Sequence, residues 1–504
     1  TWNGAPIIIA PPGWPLVLAG AMRLSPSFGV LNLLPLGLCL AAAALWYRVV
    51  RRFTSMKCAF VVTLFVGLLF YWHRNAFHHY SEGLFFTVLG GLLLLALQIS
   101  EGRRYAWRAV LVLTFCAVMV LIRWPGLLVW PLVAGALVMG QPRPALNRYW
   151  KLAGIAALVM MGTFVGTRQG LRALAGVHLR GALSAEQQEL AMEELDADSR
   201  RVDHAVRGRG MEHLWRLSAC GTALSSLFWP PAEVGKSHAA LGYVTNGIGW
   251  LLMLAFLRTV WNAARRREWI WVGALLYCVS LAFLRTPTGR YWSPVAPLLV
   301  LGVVQGFGTF RRSADDGRHG RFAVTAAVLL LVSSVACNAA ILGTNVWVSQ
   351  SDRFGSICLA GEYAELAGVA QYLHERNVAD GEAAISARYF DGHRSRRNTF
   401  ARRLLYLLTD RTLRLVPDGI GYFEPDESLA QWVEENGVRF YLCRNQYFVP
   451  RLWHFRLPWL RPDSGESAES PDDSYYVLYE FDGDRFRRVQ LTGAGEPLTR
   501  IPGL

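Results

Sequence analysis

The chain has 504 residues, of which 53% are hydrophobic and only 17% charged, whereas a soluble protein carries about 25% charged residues. That balance excludes an ordinary water-soluble globule. The formal charge of +14 is also unevenly placed: from Asn345 onward 19 Arg oppose 23 acidic residues, a net of −4, which leaves about +18 on residues 1–344. Those basic residues lie in scattered short clusters, so they do not form the single basic face of a nucleic-acid-binding protein.

In chain order, the opening TWNGAPIIIAPPGWPLVLAG reads as a loop running into an apolar segment. Ten charge-poor apolar runs follow: Gly29–Tyr47, Cys58–Trp72, Gly83–Ile99, Leu111–Ile122, Trp124–Val138, Leu152–Gly166, Gly247–Val260, Ile270–Leu284, Val295–Phe307 and Phe322–Leu342. Their interiors hold no Asp, Glu or Lys. They predict about ten helices crossing some 30 Å of hydrocarbon, which makes the fold class an α-helical polytopic membrane protein.

Basic clusters alternate with these runs: Arg48, Arg51, Arg52 and Lys57; Arg103, Arg104 and Arg108; Arg143, Arg148 and Lys151; Arg265–Arg267; and Arg311, Arg312, Arg318 and Arg321. Each falls at every second loop, and the positive-inside rule orients those loops to the cytoplasm. The outer face then receives Thr1–Pro15, Trp72–Glu82, the turn around Arg123, the long Arg168–Leu241 segment, Arg285–Ser293 and everything after about Asn345. A span that enters from outside needs one before it. The expectation is therefore that an N-terminal transmembrane helix and the start of the first outer loop precede Thr1.

The predicted organisation is a transmembrane domain over 1–344, with an outer-face loop at 168–242, and an extracytoplasmic α/β domain over 345–504. In the latter, apolar runs at Val438–Leu442 and Tyr475–Tyr479 alternate with helical patterns at Glu362–Arg376 and Ser428–Asn436. Asp463–Asp473 reads as a loop, and no internal repeat is visible. Ser184–Arg201 reads as a solvated surface helix capped by Ser184. Three Lys against 48 Arg is the usage of a GC-rich, hence bacterial, coding sequence, which points to the inner cell membrane.

Five of the eight Cys lie in apolar runs as small buried residues. Cys358 and Cys443 share the tail, where an oxidising compartment would let them pair. The chain has no phosphate-binding GxxxxGK[ST] loop and no strand-borne GxGxxG. The DxD-like pairs Asp196-Ala-Asp198 and Asp482-Gly-Asp484 fall outside the cell, where nucleotide-linked substrates are not supplied. No cofactor is implied.

Three stretches carry chemistry. YWHRNAFHHYSEG sets Arg74, His78, His79, Tyr80 and Glu82 at the outer mouth of a span. Arg123 stands alone in LIRWPGLLVWP, and RTPTGRYWSPVAP sets Arg285, Arg290 and Tyr291 at the outer end of another span. Interfacial anchoring accounts for Arg, Tyr and Trp at such places. Arg123, however, sits on the face that positive-inside bias disfavours, in a turn too short to float in water. Guanidinium groups there suit a phosphate, which they can grip bidentately. The candidate substrate and phosphate-binding residues are Arg123, Arg285, Arg290, Tyr291, Glu82 and His79. Glu82 has an alternative role as a complement to a helix N-terminus. Adjacent His side chains diverge by about 100° on a helix, so His78 and His79 make a strained metal pair and no metal is expected.

In their order, these landmarks resemble the integral-membrane glycosyltransferases of the GT-C fold: protein O-mannosyltransferases, the lipid A aminoarabinose transferase and the rhizobial lipopolysaccharide core transferases. APPGWPLVLAG resembles the Pro-Pro-Gly-Tyr-Pro segment after the family's first outer loop. YSEGLFFTVLGGLLLLAL and LIRWPGLLVWPLVAGAL resemble its Ser-Glu-Pro-Leu helix start and later Arg-Pro-(x)-Gly-Leu span, and GRYWSPVAPLLVLG resembles its Arg-Tyr-leading span. Gly83 and Trp292 depart from the pattern. The resemblance covers about residues 1–344. It implies inverting transfer of a sugar from a polyprenyl-phosphate donor to a lipid, glycan or protein acceptor on the outer face, with membrane lipids as surroundings and no nucleic acid. The carboxylate that orients or deprotonates the acceptor is expected upstream of Thr1, so the catalytic residue is unknown. The other function classes are a lipid-linked sugar transporter or flippase, disfavoured by the lack of paired halves and of mid-span charge, and a catalytically inactive scaffold of the same fold.

Overall fold

The computed structural model of the chain describes residues 11–24, 28–77, 81–102, 105–182, 220–229, 239–284, 289–313, 325, 328–340, 342, 361–386, 388–391, 394–397, 405, 413–417, 420, 425–444 and 476–489. The chain folds as two compact units, the first built mainly from 33–342 and the second mainly from 343–504.

The first unit is helical. Its described elements begin with α1 (Gly13–Leu24), α2 (Phe28–Val50), α3 (Met56–Leu68), α4 (Phe70–Phe77), α5 (Glu82–Ser100) and α6 (Tyr105–Ile122). A 3-10 turn (Trp124–Val129) leads into α7 (Trp130–Leu137), followed by α8 (Arg143–Ala182), α9 (Cys220–Phe228), α10 (Ala239–Arg265) and α11 (Ile270–Leu284). The short α12 (Gly289–Trp292) and a 3-10 turn (Ser293–Val295) precede α13 (Ala296–Ser313), and α14 spans Val328–Ala340. Among the described residues, five helical stretches are long and apolar enough to cross a membrane: Leu33–Val50, Glu82–Ser100, Leu146–Gly170, Tyr243–Arg265 and Gly289–Thr309. The other five apolar runs form shorter helices of 10–17 residues. The protein is therefore built to sit in a membrane, and among the described residues five of the ten predicted runs reach full spanning length.

Two of the shorter helices are interrupted for identifiable reasons. Leu69 takes an extended conformation (φ −61°, ψ 137°) between α3 and α4, and the amide of Phe70 that loses its helical partner donates instead to Asn338 Oδ1 at 2.7 Å. A buried amide must find such a substitute where water is absent. Arg123 is extended as well (φ −154°, ψ 139°), and Pro125 behind it holds the backbone in a 3-10 turn.

Polar side chains tie the helices together. Trp46 donates to the Phe86 carbonyl at 3.2 Å, Thr87 to Leu38 at 2.7 Å, Trp130 to Ala153 at 2.8 Å and Thr259 to Gly302 at 2.6 Å. Interhelical hydrogen bonds of this kind supply specificity where apolar contacts alone cannot.

The long 168–242 loop differs from expectation. The helix of Leu152–Gly166 continues to Ala182, and Cys220–Phe228 is a helix within the core, buried at every residue but Thr222. Small residues allow this: a side chain on Gly249 would collide with the Gly221 backbone, so the two glycines let α9 lie directly on α10. The candidate helix at 184–201 lies outside the described residues.

The second unit is an α/β domain. Its elements are α15 (Gly361–Glu375), β1 (Ala383–Ser386), β2 (Arg388–Asp391), β3 (Arg394–Arg397), β4 (Arg414–Val416), α16 (Glu427–Glu435), β5 (Phe440–Arg444), β6 (Tyr476–Phe481) and β7 (Phe486–Arg488). Five strands form one mixed sheet in the order β4-β1-β5-β6-β7, parallel between β4, β1 and β5 and antiparallel beyond, while β2 and β3 form a separate antiparallel ribbon. Side-chain alternation gives the sheet two apolar faces. Ile385, Phe440, Leu442 and Leu478 pack with α15, and Ala384, Tyr441, Cys443 and Val477 pack with Leu429 and Val433 of α16. Asp426 caps α16 by accepting the Leu429 amide at 2.8 Å.

Candidate functional site

The residues that carry chemistry in the first unit meet at one buried carboxylate. Glu82 opens α5 and its side chain is 1% exposed. Its Oε1 accepts Arg123 Nη1 at 2.8 Å and Arg290 Nη2 and Nε at 2.6 and 2.7 Å. Three separate stretches therefore converge: the start of α5, the 3-10 turn after α6, and the short α12. Two guanidinium groups thus face one carboxylate among the described residues. Arg123 is 17% exposed and Arg290 38%, so Arg290 is the more accessible of the two.

Each arginine is held in place by its neighbours. Arg123 lies against the Tyr291 ring, with Cζ 5.9 Å from the centroid. The Tyr277 hydroxyl donates to the Tyr291 carbonyl at 3.1 Å. On the Arg290 side, the Ser293 hydroxyl donates to the Arg290 carbonyl at 2.6 Å, and the Trp72 indole donates to the Ser293 carbonyl at 2.8 Å. The Gly289 amide donates to Ser226 Oγ at 3.0 Å. A side chain on Gly289 would stand 2.7 Å from Ser226 Oγ and 2.8 Å from the Tyr71 ring. Glycine is thus required there for close approach, and the Arg290 turn is wedged between α4, α9 and α5.

Of the candidate residues, Glu82, Arg123, Arg290 and Tyr291 are brought together. His79, with His78, Tyr80 and Arg285, lies outside the described residues, as does the Asp196-Asp198 pair. Glu82 stands in the first turn of α5, and it is also the counter-ion of both arginines. That pairing was missed in the sequence because its members are far apart along the chain. The available signal was parity: all three positions were assigned to the same membrane face. Ser226, Trp72 and Ser293 carried no sequence signal at all.

The Asp482-Gly-Asp484 pair forms the turn between β6 and β7. Asp482 accepts the backbone amides of Asp484 and Arg485 at 3.2 and 3.0 Å and pairs with Arg487 at 2.8 Å, while Gly483 takes φ +96°. Its carboxyl is held below the ordinary Asp range by those two amides first and by Arg487 and Arg485 next. Cys443 is buried in the sheet of the second unit; Cys358 lies outside the described residues.

No protein-family model matches the chain, and none of the curated proteins matches it. Among solved structures, the chain is similar to the archaeal oligosaccharyltransferase AglB from Archaeoglobus fulgidus in complex with an inhibitory peptide and a dolichol-phosphate. That likeness has 13% identity and a TM-score of 0.46, over 87% of this chain and 63% of that one. The apo form of the Archaeoglobus fulgidus oligosaccharyltransferase gives 12% identity and a TM-score of 0.47 over the same shares. ArnT from Cupriavidus metallidurans in the apo state gives 14% identity and a TM-score of 0.42, over 88% of this chain and 84% of that one. The chain thus spans 63% of the length of the AglB oligosaccharyltransferase. Likenesses this distant transfer no chemistry, and the case for function stands on the Glu82 cluster and its surroundings.

Proposed function

We propose that this chain is a membrane glycosyltransferase that moves a sugar from a polyprenyl-phosphate carrier to a lipid, glycan or protein acceptor. The observation that supports it is the Glu82 cluster: among the described residues, two preorganised guanidinium groups fixed on one buried carboxylate, where three segments of an apolar helical unit meet. In the proposed reaction an acceptor atom attacks the anomeric carbon, the bond from that carbon to the phosphate oxygen breaks, and the carrier phosphate leaves with the electron pair. Negative charge grows on that phosphate. Cations fixed in advance in a poorly solvated site stabilise such charge without reorganising, and the planar fork of Arg suits phosphate oxygens. Arg123, Arg290 and Tyr291 would receive the phosphate, with Glu82 holding both arginines at the required spacing; Arg285 and His79 remain candidates for the same site. The group that activates the acceptor is not among these residues.

The same proposal includes the alternation of basic clusters, which assigns the Arg265–Arg267 end to the cytoplasm and 345–504 to the outer face of the inner membrane. The test is a reconstitution. The full chain in proteoliposomes is given polyprenyl-phosphate donors bearing labelled hexoses or pentoses, together with an extract of envelope lipids and glycans. Release of polyprenyl phosphate with label on an acceptor supports the enzyme. Label that crosses the bilayer still on its carrier would instead indicate a transporter, and neither event would leave an inactive scaffold.

A further inference from the structure

The opposite end of α5 bears a second basic site, unconnected with the Glu82 cluster. A cavity of about 490 Å³ opens there, lined by Arg48, Arg51, Arg52, Leu94 and Gln98. Arg48 lies in the last turn of α2, and the chain then tightens: the Arg51 amide bonds to Tyr47 at 2.9 Å and the Arg52 amide to Val49 at 3.1 Å. Leu94 and Gln98 stand one turn apart on α5 and supply an apolar floor with one amide. Arg52 is fixed by an ion pair to Glu101, just beyond the end of α5. Three cations are thus gathered around one concavity, with one carboxylate paired to one of them.

Two further observations say what kind of anion belongs there. The 19 residues of α5 span about 28 Å at 1.5 Å per residue, close to the thickness of a bilayer's hydrocarbon core. With Glu82 at one boundary, Leu94 and Gln98 lie about 18 and 24 Å along the helix, so the cavity opens toward the headgroup level of the other leaflet. The exposed face of α2 also runs straight to it: Leu33, Leu36 and Leu40 are 62%, 38% and 64% exposed, and Ala44 and Arg48 continue the same exposed stripe at helical spacing. An apolar stripe that ends on clustered arginines beside a cavity matches the outline of one lipid, acyl chain along the helix and phosphate in the pocket.

We propose that this cavity binds the phosphate headgroup of an anionic phospholipid, with Arg48 and Arg51 contacting the phosphate, Arg52 held ready by Glu101, and an acyl chain lying on the Leu33–Leu36–Leu40 stripe. Guanidinium groups pair with phosphate oxygens bidentately, and basic pockets between helices at a membrane boundary recognise anionic headgroups.

The test uses the full chain purified in an uncharged detergent and follows thermal unfolding with added phosphatidylglycerol, phosphatidylcholine or inorganic phosphate. A ligand that binds the folded state raises the midpoint, so phosphatidylglycerol is expected to raise it by several degrees, phosphatidylcholine and inorganic phosphate by far less. The double variant Arg48→Gln/Arg51→Gln should lose most of that rise, whereas Arg265→Gln/Arg266→Gln, in a basic cluster that does not line the cavity, should keep it. Leu94→Trp fills the cavity without altering charge and should also reduce the rise, which keeps the test decisive if the arginine variant does not fold. An undiminished rise in both pocket variants would overturn the site. Equal loss in the two arginine double variants would reduce it to general surface attraction, and an equal rise with inorganic phosphate would overturn the lipid assignment.

Discussion

Arg290 donates from both Nε and Nη2 to a single oxygen of Glu82, at 2.7 and 2.6 Å. Arg123 reaches that same oxygen at 2.8 Å. A carboxylate this deeply buried is costly to keep charged unless cations hold it, and two guanidinium groups side by side repel unless a carboxylate separates them. Each member therefore depends on the others. The arrangement fixes two arginines at the rim of the helical unit in a geometry that neither would keep alone.

Removing the carboxylate should expose that dependence. Glu82→Gln leaves two neighbouring cations without their counter-ion, and breaking one partner of a buried pair costs about 3–5 kcal/mol. A large fall in the unfolding midpoint in detergent is expected. The double variant Glu82→Gln/Arg123→Gln should be less unstable than the two single effects added together, because the surviving arginine no longer faces a second positive charge. Simple additivity would show that the three groups are not coupled.

Replacing either arginine by Lys keeps the charge and loses the planar fork. For Arg123→Lys and Arg290→Lys the expected result is at least a tenfold loss of donor turnover, roughly 1.4 kcal/mol of transition-state stabilisation, with the protein still inserted and folded. Wild-type turnover in both variants would return these residues to the role of helix clamps.

Gly289→Ala tests positioning without touching a charge. The added methyl meets Ser226 Oγ, the Leu227 backbone nitrogen and the Tyr71 ring at 2.7, 2.8 and 2.8 Å, so the turn itself must shift. Overpacking of this kind costs about 1–3 kcal/mol, and the displaced turn carries Arg290. Donor turnover should fall further than stability does, measured on the same preparation. Ser226→Ala, which removes the acceptor of the Gly289 amide, should reproduce the direction with a smaller effect of about 1 kcal/mol.

Reporter fusions placed after Arg267 and after Leu504 are expected to report opposite sides of the membrane, the first cytoplasmic. The same side for both would refute the orientation proposed from the basic clusters.

The β6–β7 turn offers a pH test. Asp482 has its carboxyl held below the ordinary Asp range by two backbone amides. A depressed folded-state value means that its stabilising contribution is complete above the unfolded value, near pH 3.9, and is lost as pH falls through the lower folded value. The difference in unfolding midpoint between wild type and Asp482→Asn should hold steady above about pH 4 and shrink on further acidification. A difference that grows with acidification would contradict the turn geometry.

Much of the secondary structure was written locally. The runs Gly83–Ile99 and Gly247–Val260 became parts of α5 and α10 because a predominantly apolar stretch has no alternative to a helix inside a membrane. In the second unit, Val438–Leu442 and Tyr475–Tyr479 anticipated β5 and β6, and Glu362–Arg376 and Ser428–Asn436 anticipated α15 and α16, within the blurred ends that period and capping allow. Cys220–Phe228 escaped detection for an equally physical reason. Its nine residues are too few for a span and are flanked by polar sequence, and its burial depends on Gly249, which is distant along the chain.

By itself, then, the amino-acid sequence determined that this protein lives in a membrane and where its principal helices and strands run, since apolar length and periodicity are properties of neighbouring residues. It also singled out Arg123 as a charge in a costly place, and with it Arg285 and Arg290 as candidate phosphate ligands. Only the tertiary structure decided that Glu82 is their shared counter-ion, that Gly289 and Ser226 seat the Arg290 turn, and that Arg48, Arg51 and Arg52 surround a cavity with Leu94 and Gln98. Ion pairs and cavities are made between helices, and the energy that selects them depends on distances that chain order does not encode.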